Sequence, residues 1–176
     1  MLHDQTVFAF SQQAQALLGQ LAKAESWCAD HGIAESDFLG TRLAADMRPL
    51  SGQLNFVVAE LLKPMRHLTG QALPDPADAL PTIASHRARI SAALAVIGGL
   101  RGDQVDGDPA RRITLELPNG MAFDMSAADY VRDWAVPQFF FHIMAAYALM
   151  RHNGVPLGKA DFVPHMARHA RRPAQS

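Results

Sequence analysis

The sequence predicts an all-helical protein, a four-helix bundle with a small β-hairpin inserted before the last helix. Four long segments repeat apolar residues at spacings of three and four, which places those residues on one face of a helix. One shorter segment alternates apolar and polar residues on both sides of an Asn-Gly pair, as hairpins do. With 176 residues and 49% hydrophobic content, the chain is most simply one domain with a substantial core.

The first helix is predicted to run from about residue 4 to residue 30. Asp4 is a candidate for its N-cap, and Gly32 provides a stop signal. Residues 33–45 then form a connector with at most one short turn around residues 37–39. The apolar positions that predict the helix are Val7, Phe10, Ala14, Leu17, Leu18, Leu21, Ala24, Trp27 and Cys28.

The second helix is predicted to begin at Asp46, a suitable N-cap residue. Pro49 would then lie in the first turn, where its missing N–H removes no helical hydrogen bond. Thr69-Gly70 ends the helix, and Pro64 inside it predicts a kink or an early end. Its apolar positions are Leu50, Leu54, Val57, Val58, Leu61 and Leu62.

The third helix follows a predicted loop over residues 71–80. Pro81 opens this helix and Gly98-Gly99 ends it. A polar loop is predicted next, over residues 101–110. The apolar positions of the helix are Ile83, Ile90, Ala93, Leu94 and Ile97.

The hairpin is predicted over residues 113–125, with a two-residue turn at Asn119-Gly120. Such a turn needs positive φ at both central positions, which Asn and Gly tolerate. The alternation also predicts which side chains face the bundle. They are Ile113, Leu115 and Leu117.

The last long helix is predicted to begin at Ser126, with Asp129 three residues on as a shortened capping box. Pro137 should kink or split it. Asn153-Gly154 ends it, with Gly154 in the left-handed position just beyond the helix.

Composition excludes several classes of function. A net charge of -1 and a pI of about 6.7 provide no basic surface for nucleic acid. Cys28 is the only cysteine, so the chain has no internal disulfide and no cysteine-based metal site. The N-terminal residues do not show the basic-plus-apolar pattern of a signal sequence, and no apolar run reaches the length expected of a membrane span. We therefore expect a soluble, cytoplasmic protein that binds neither nucleic acid nor membrane.

Two separated motifs carry a resemblance to a known family. The residues that carry it are Arg42-Leu43, Asp46-Met47, Pro49-Leu50, Gln53, Pro137, Phe139, Phe141-His142, Ala146-Tyr147, Leu149, Arg151-His152, Gly154-Val155, Gly158-Lys159 and Asp161-Phe162. On these residues the chain resembles a bacterial domain-of-unknown-function family within the DinB/YfiT-like superfamily of metalloenzymes. The resemblance covers roughly residues 6–162 and implies an up-and-down four-helix bundle, often dimeric. We therefore expect a DinB-like bundle domain over residues 1–162 and a C-terminal tail over residues 163–176.

The resemblance also implies a metal site, which this sequence does not complete. Better-known relatives hold a divalent metal with three histidines, one from the second helix and two spaced four apart on the last. Here only His142 lies at such a position, because Gln138 and Ala146 stand four residues before and after it. The second helix offers Gln53, and an amide is a poor ligand for a transition metal. The ligand set that remains is His142 with Asp46, which is compatible only with a weakly bound divalent metal as cofactor.

The candidate pocket residues are His142, Asp46, Gln53, Gln138 and Tyr147, and no catalytic residue is assigned. His142 is either a ligand or acid–base group in a pocket or a core histidine hydrogen-bonded across the bundle. Asp46 is explained equally well as a helix cap. Gln53 lies seven residues later and would share its face, whereas Tyr147 is better suited to fixing the last helix to a neighbour.

The remaining histidines and Cys28 are interpreted as structural or exposed. The His165–His169 pair has metal-ligand spacing but lies in the tail, so only adventitious metal binding is expected there. Cys28 lies on the apolar side of its helix and should be a buried, inert thiol. The histidines expected to face solvent are His3, His31, His67 and His86.

Two hypotheses for function follow. The first is a small-molecule-binding enzyme, or a relic of a metal-dependent thiol transferase with a degenerate metal site. The second is a non-catalytic binding or stress-related structural module. In either case a homodimer is expected, because Phe139-Phe140-Phe141 places aromatic side chains on adjacent faces of one helix.

Overall fold

The computed structural model describes residues 1–74 and 80–171, and this part of the chain is mostly helical with one antiparallel two-stranded hairpin. π-helical turns at Asp4–Phe8 and Tyr130–Ala135 lead into two of the helices, and a 3₁₀ helix, Pro164–His169, follows the last one. The helices are α1 (Ala9–His31), α2 (Glu35–Gly40), α3 (Leu50–Thr69), α4 (Ile83–Gly98), α5 (Gly102–Asp106), α6 (Ala127–Asp129), α7 (Val136–His152) and α8 (Lys159–Phe162), and the strands are β1 (Arg112–Glu116) and β2 (Ala122–Ser126).

The four long helices contact one another in a closed ring. Helix α1 packs against α4 and α7, and α3 packs against the same two helices. The apolar faces predicted from the sequence meet in the centre of this ring, where Phe10 stacks on Phe139 with ring centroids 4.1 Å apart. Within the described residues, no helix is both long and apolar enough to cross a bilayer.

The first helix ends as predicted but begins differently. Gly32 adopts a left-handed conformation with φ 65° directly after α1 and so ends the helix. Asp4 is not the N-cap, because it lies inside the π-helical turn and the residue before it makes no capping hydrogen bond with its side chain. The connector predicted over residues 33–45 contains the short helix α2.

Buried amides of α1 fix the C-terminal part of the domain. Gln13 donates a hydrogen bond to the carbonyl of Phe162 at 2.7 Å, and Gln20 donates one to the carbonyl of Asp161 at 2.9 Å. Lys23 adds an ion pair with the Asp161 carboxylate at 2.7 Å. Because both glutamine side chains are almost fully buried, the backbone carbonyls of α8 supply the acceptors that their N–H groups need.

The prediction that Asp46 caps the second helix is wrong. The N-cap of α3 is Pro49, which has no side-chain acceptor, and the backbone N–H of Leu50 is instead satisfied by the carbonyl of Thr41 at 2.9 Å. Pro64 does not end the helix early, since α3 continues to Thr69.

The third helix was predicted to open at Pro81, but α4 begins at Ile83 and Thr82 is its N-cap. The Thr82 side chain accepts from the N–H of Ser85, whose hydroxyl accepts in turn from the N–H of Thr82. Part of the loop predicted over 71–80 lies outside the described residues. The polar loop predicted over 101–110 contains α5, which buries Val105.

The hairpin lies where predicted, with β1 and β2 paired so that Leu115 is opposite Phe123. Ile113 and Leu115 face the core, and Leu117 packs against it. Its turn differs from the predicted one. Gly120 donates to the carbonyl of Leu117 at 2.9 Å and alone has positive φ, 84°. These contacts define a type I turn followed by a glycine bulge.

The last helix begins at Ser126 as predicted, with the hydroxyl accepting from the N–H of Asp129 at 3.0 Å. It is divided by the π-helical turn at Tyr130–Ala135. Pro137 follows this turn directly, and its lack of an N–H removes one bond of the regular helical ladder at that point. The predicted split is therefore a widening of the helix rather than a break.

The end of α7 is a complete Schellman motif. Val155 donates to the carbonyl of Met150, and Gly154 donates to the carbonyl of Arg151, both at 3.1 Å. Gly154 has φ 91°, and a Cβ added to it would lie 2.9 Å from Cζ2 of Trp27. This junction therefore requires glycine for two separate reasons.

Candidate functional site

Gln53 of α3 and His142 of α7 meet across the interface between these helices. The Gln53 side-chain N–H donates to the carbonyl of Arg48 at 3.2 Å, which leaves Oε1 as an acceptor. His142 Nδ1 lies 2.8 Å from that oxygen and must therefore carry the proton. The lone pair of the imidazole is then on Nε2. This single bond fixes both the tautomer and the orientation of the ring.

The surroundings of His142 keep it neutral. Burial, followed by the nearby positive charge of Arg48, lowers its pKa to about 4. The ring stacks on Phe56 at 4.6 Å between centroids, and the Arg48 guanidinium lies 4.8 Å from the centre of the same Phe56 ring. At neutral pH the site therefore presents a hydrogen-bond acceptor without a charge.

A cavity of about 620 Å³ lies between α3, the hairpin and the π-helical turn, and we call it the α3–hairpin cavity. The cavity lies beside the His142–Gln53 pair, because Phe56 and Gln138 line the cavity and both are neighbours of His142. The residues that line it from α3, from the hairpin and from the last long helix include Phe56, Glu60, Lys63, Arg66, His67, Leu115, Glu116, Tyr130, Trp134 and Gln138.

Glu60 and Tyr130 place buried ionisable groups in the α3–hairpin cavity. Glu60 is 6% exposed, and burial raises the pKa of its carboxyl group despite the nearby Lys63. Burial and the Glu60 charge together raise the pKa of the Tyr130 hydroxyl. His67 lies against the Tyr130 ring, and burial lowers its pKa, with Lys63 and Arg66 acting in the same direction. The cavity thus combines a buried carboxyl group with aromatic walls.

The other predicted pocket residues lie in different places. Gln138 lines the cavity one helical turn before His142. Asp46 is exposed in the loop before α3 and, among the described residues, makes no hydrogen bond or ion pair with Gln53 or His142. Tyr147 packs edge-on against Phe162 of α8, with ring centroids 5.2 Å apart. The structure therefore pairs Gln53 with His142 and places Gln138 one helical turn away, in the cavity wall.

Sequence reasoning missed Glu60 and Tyr130. Glu60 interrupts an otherwise apolar run from Phe56 to Leu62, and a lone acid in such a run is a signal of a buried carboxyl group. Tyr130 begins a series with a spacing of four that continues through Trp134 and Gln138 to His142. That spacing places the series along one side of the helix.

The prediction that His86 faces solvent is wrong, because this residue is only 1% exposed. It lies in the stripe that includes Ile83 and Ile90, so the spacing already indicated burial. Its ring donates to the carbonyl of Leu80, and within the described chain Nε2 has no hydrogen-bond partner. Burial, with the charge of Arg89, lowers its pKa to about 4.

Cys28 is buried as predicted, and burial raises the pKa of its thiol, with the Glu35 charge as a smaller cause. The His165–His169 pair lies on a 3₁₀ helix. Because this helix has three residues per turn, side chains four apart do not share a face as they would on an α-helix. The pair therefore lacks the geometry that its spacing suggests.

The residues at the α3–α7 interface do not fit the three-histidine metal site of the superfamily. In the ranges 1–74 and 80–171, no three His, Cys, Asp or Glu side chains are grouped closely enough to hold a metal ion. Gln53 uses its oxygen to accept from His142, and Gln138 supplies a second amide. These donors suit neither the geometry nor the ligand preference of zinc.

We predict that the protein holds no tight transition metal. Elemental analysis of tag-free protein purified without chelator should show zinc and nickel far below one equivalent. Metal that disappears only when residues 163–176 are deleted would mark His165 and His169 as an adventitious site. Near-stoichiometric metal that is lost in His142→Ala and kept after the tail deletion would contradict the prediction.

Fold and site together define a mainly helical protein with a neutral histidine–amide pair beside an acidic, aromatic cavity. The chain belongs to the family described as a domain of unknown function, DUF1993, whose model matches residues 2–163. It is similar to the crystal structure of a DinB family member protein from Shewanella denitrificans. The two chains are 29% identical with a TM-score of 0.83, over 100% of this chain and 96% of the other. No curated protein matches it. The resemblance inferred from the sequence is confirmed.

Proposed function

We propose that this protein is a small-molecule-binding member of the DinB-like group, built as an up-and-down four-helix bundle, whose ligand occupies the α3–hairpin cavity. The observation that carries the proposal is Glu60, a nearly fully buried carboxyl group that lines a cavity of about 620 Å³. Cavities of 300–1,000 Å³ with apolar walls and a few polar groups are typical of small-molecule sites.

His142 and Gln53 act in this proposal as positioning residues. Their bond fixes the imidazole on which Phe56 stacks, and Phe56 forms part of the cavity wall. A relic of a metal-dependent thiol transferase with a degenerate metal site would also retain one histidine and two amides on α3 and α7.

The alternative is a non-catalytic or stress-related structural module. One observation favours it: His142 is satisfied by Gln53 and stacked on Phe56, as a core histidine would be. A module of this kind needs no ligand in the cavity. Binding therefore distinguishes the two hypotheses.

The test is a fragment screen followed by ¹H–¹⁵N NMR, using neutral aromatic fragments as probes. Saturable shifts should map to the hairpin around Leu115 and to the indole N–H of Trp134. The variant Gln138→Trp, which fills the cavity from α7, should remove the shifts, whereas Gln15→Trp on the exposed side of α1 should not. Shifts that fail to saturate, or that survive in Gln138→Trp, would favour the structural module.

We also propose a homodimer, formed through the outer face of α7. Phe139 is buried and Phe140 packs against the core, whereas Phe141 is 55% exposed and Met144 is 50% exposed on the same face. An apolar pair on one face suits a second copy of the chain.

A cytoplasmic location is a further proposal, consistent with a buried free thiol at Cys28.

Light scattering at micromolar concentration should return twice the chain mass of 19.2 kDa. Phe141→Ser should shift the mass toward the monomer, because it removes apolar area from the proposed interface. Met166→Ser provides a control at a different exposed methionine. A wild-type mass of one chain would reject the dimer.

A further inference from the structure

We propose that the α3–hairpin cavity takes a small organic cation, an amine carried on an apolar body, with its ammonium group against the carboxylate of Glu60. The inference rests on the proposed function, since it names the class of ligand for the same cavity. It is carried by three features of the cavity, namely the unpaired acid, the aromatic walls and the distribution of charge with depth.

Some carboxylates of the chain are paired with a basic side chain, but Glu60 is not paired with any described residue. Asp161 pairs with Lys23 and Asp124 pairs with Arg112, but within the part of the chain that the structure describes Glu60 accepts no hydrogen bond and forms no ion pair. Its oxygens are not enclosed by protein atoms and so open onto the cavity, where a ligand can supply the missing donors. An ammonium group supplies up to three donors together with the opposite charge.

Aromatic side chains line the same cavity and suit the same ligand. Tyr130 and Trp134 present π-systems there, and such faces attract ammonium groups when water is excluded. Phe56 is already stacked with His142 and Arg48, so it contributes apolar wall. Leu115 from β1 extends that wall and leaves room for an apolar body.

Positive side chains also line the cavity, but they occupy different depths. Lys63 is exposed, whereas Glu60 is 94% covered. Arg66 donates to the carbonyl of Leu73, which commits part of its guanidinium. His67 is exposed, and partial burial together with the charges of Lys63 and Arg66 lowers its pKa, which disfavours a positive charge there. Among the charged side chains that line the cavity, Glu60 is buried, whereas Lys63 and Glu116 are exposed.

The experiment compares three probes with the same aromatic body and different head groups: phenethylamine, 2-phenylethanol and phenylacetate. Dissociation constants are measured by NMR titration at pH 7.5, following the Trp134 indole N–H. The amine should bind at least tenfold more tightly than the other two. Glu60→Gln keeps the side-chain size and should remove that preference, whereas Asp37→Asn, the same charge change on exposed α2, should not alter it.

Each result decides a different point. Equal binding of the three probes, or a preference that survives in Glu60→Gln, overturns the cation proposal and leaves small-molecule binding in place. Preference for phenylacetate also overturns it and assigns the site to Lys63 and Arg66. Absence of binding by all three probes overturns the cation proposal, and the neutral-fragment screen then decides separately whether the proposed function fails with it.

Discussion

Replacing Gly154 by alanine should lower the free energy of unfolding by about 3 kcal/mol, one of the largest losses from a single methyl group in this chain. A left-handed backbone costs a non-glycine residue about 1–2 kcal/mol. The added Cβ would also lie 2.9 Å from Cζ2 of Trp27, so the junction between α7 and α1 must shift. Overpacking of this kind costs about 1–3 kcal/mol. Urea unfolding of wild type and variant at pH 7.5 measures the loss.

Gly120→Ala is the matched control for this prediction. Gly120 also has positive φ, 84°, but an added Cβ would meet no atom within 4 Å. Its loss should be about 1 kcal/mol, so the difference between the two variants reports the contact with Trp27. Combining Gly154→Ala with Trp27→Leu should then recover part of the contact cost. Equal losses for Gly154→Ala and Gly120→Ala would show that Trp27 is not in contact.

Acidification from pH 7 to pH 5 should destabilise the protein by about 2 kcal/mol for each of His86 and His142. Both pKa values are lowered from 6.5 to about 4 in the folded chain. Between these values the unfolded state binds more protons than the folded state, so stability falls as the pH falls. Burial is the main cause for both, and the charges of Arg89 and Arg48 add to it.

Unfolding free energies across this range should identify the two histidines separately. His86→Gln and His142→Gln should each flatten the dependence on pH, while His152→Gln at an exposed position should leave it unchanged. Glu60 acts in the opposite direction, because its raised pKa lowers stability as the pH rises above 4.5. Unaltered slopes in both buried-histidine variants would contradict the prediction.

Helix ends were predictable from the sequence because local chemistry determines them. Gly32, Gly70 and Gly154 all lie in the left-handed position after a helix. Asp46 shows the limit of such reasoning. The N–H of Leu50 is satisfied by the carbonyl of Thr41, and a partner of that kind is supplied by the path of a loop rather than by residue type.

The hairpin turn shows a different limit. Asn119-Gly120 favours a turn in which both residues have positive φ, but Pro118 precedes them and suits the second position of a type I turn. Pro118 therefore indicates the type I turn, which the Asn-Gly pair alone does not.

The candidate site was predictable only in part. The pairing of Gln53 with His142 follows from their positions on facing helices, and the sequence predicted both as pocket residues. The α3–hairpin cavity could not be predicted, because it depends on the π-helical turn that carries Tyr130 and Trp134. A widened turn changes which residues face inward, so the four-residue spacing of Tyr130, Trp134 and Gln138 does not by itself indicate a cavity.

The hydrogen bonds of Gln13 and Gln20 determine when the chain can finish folding during synthesis. Their acceptors are the carbonyls of Phe162 and Asp161, which follow them by 149 and 141 residues. Although α1 is translated first, its two amides have no native partner until α8 has left the ribosome. Contacts so distant in sequence are also slow to form, since the intervening chain must be ordered first. The native contacts of α1 are therefore completed only after translation has passed α8.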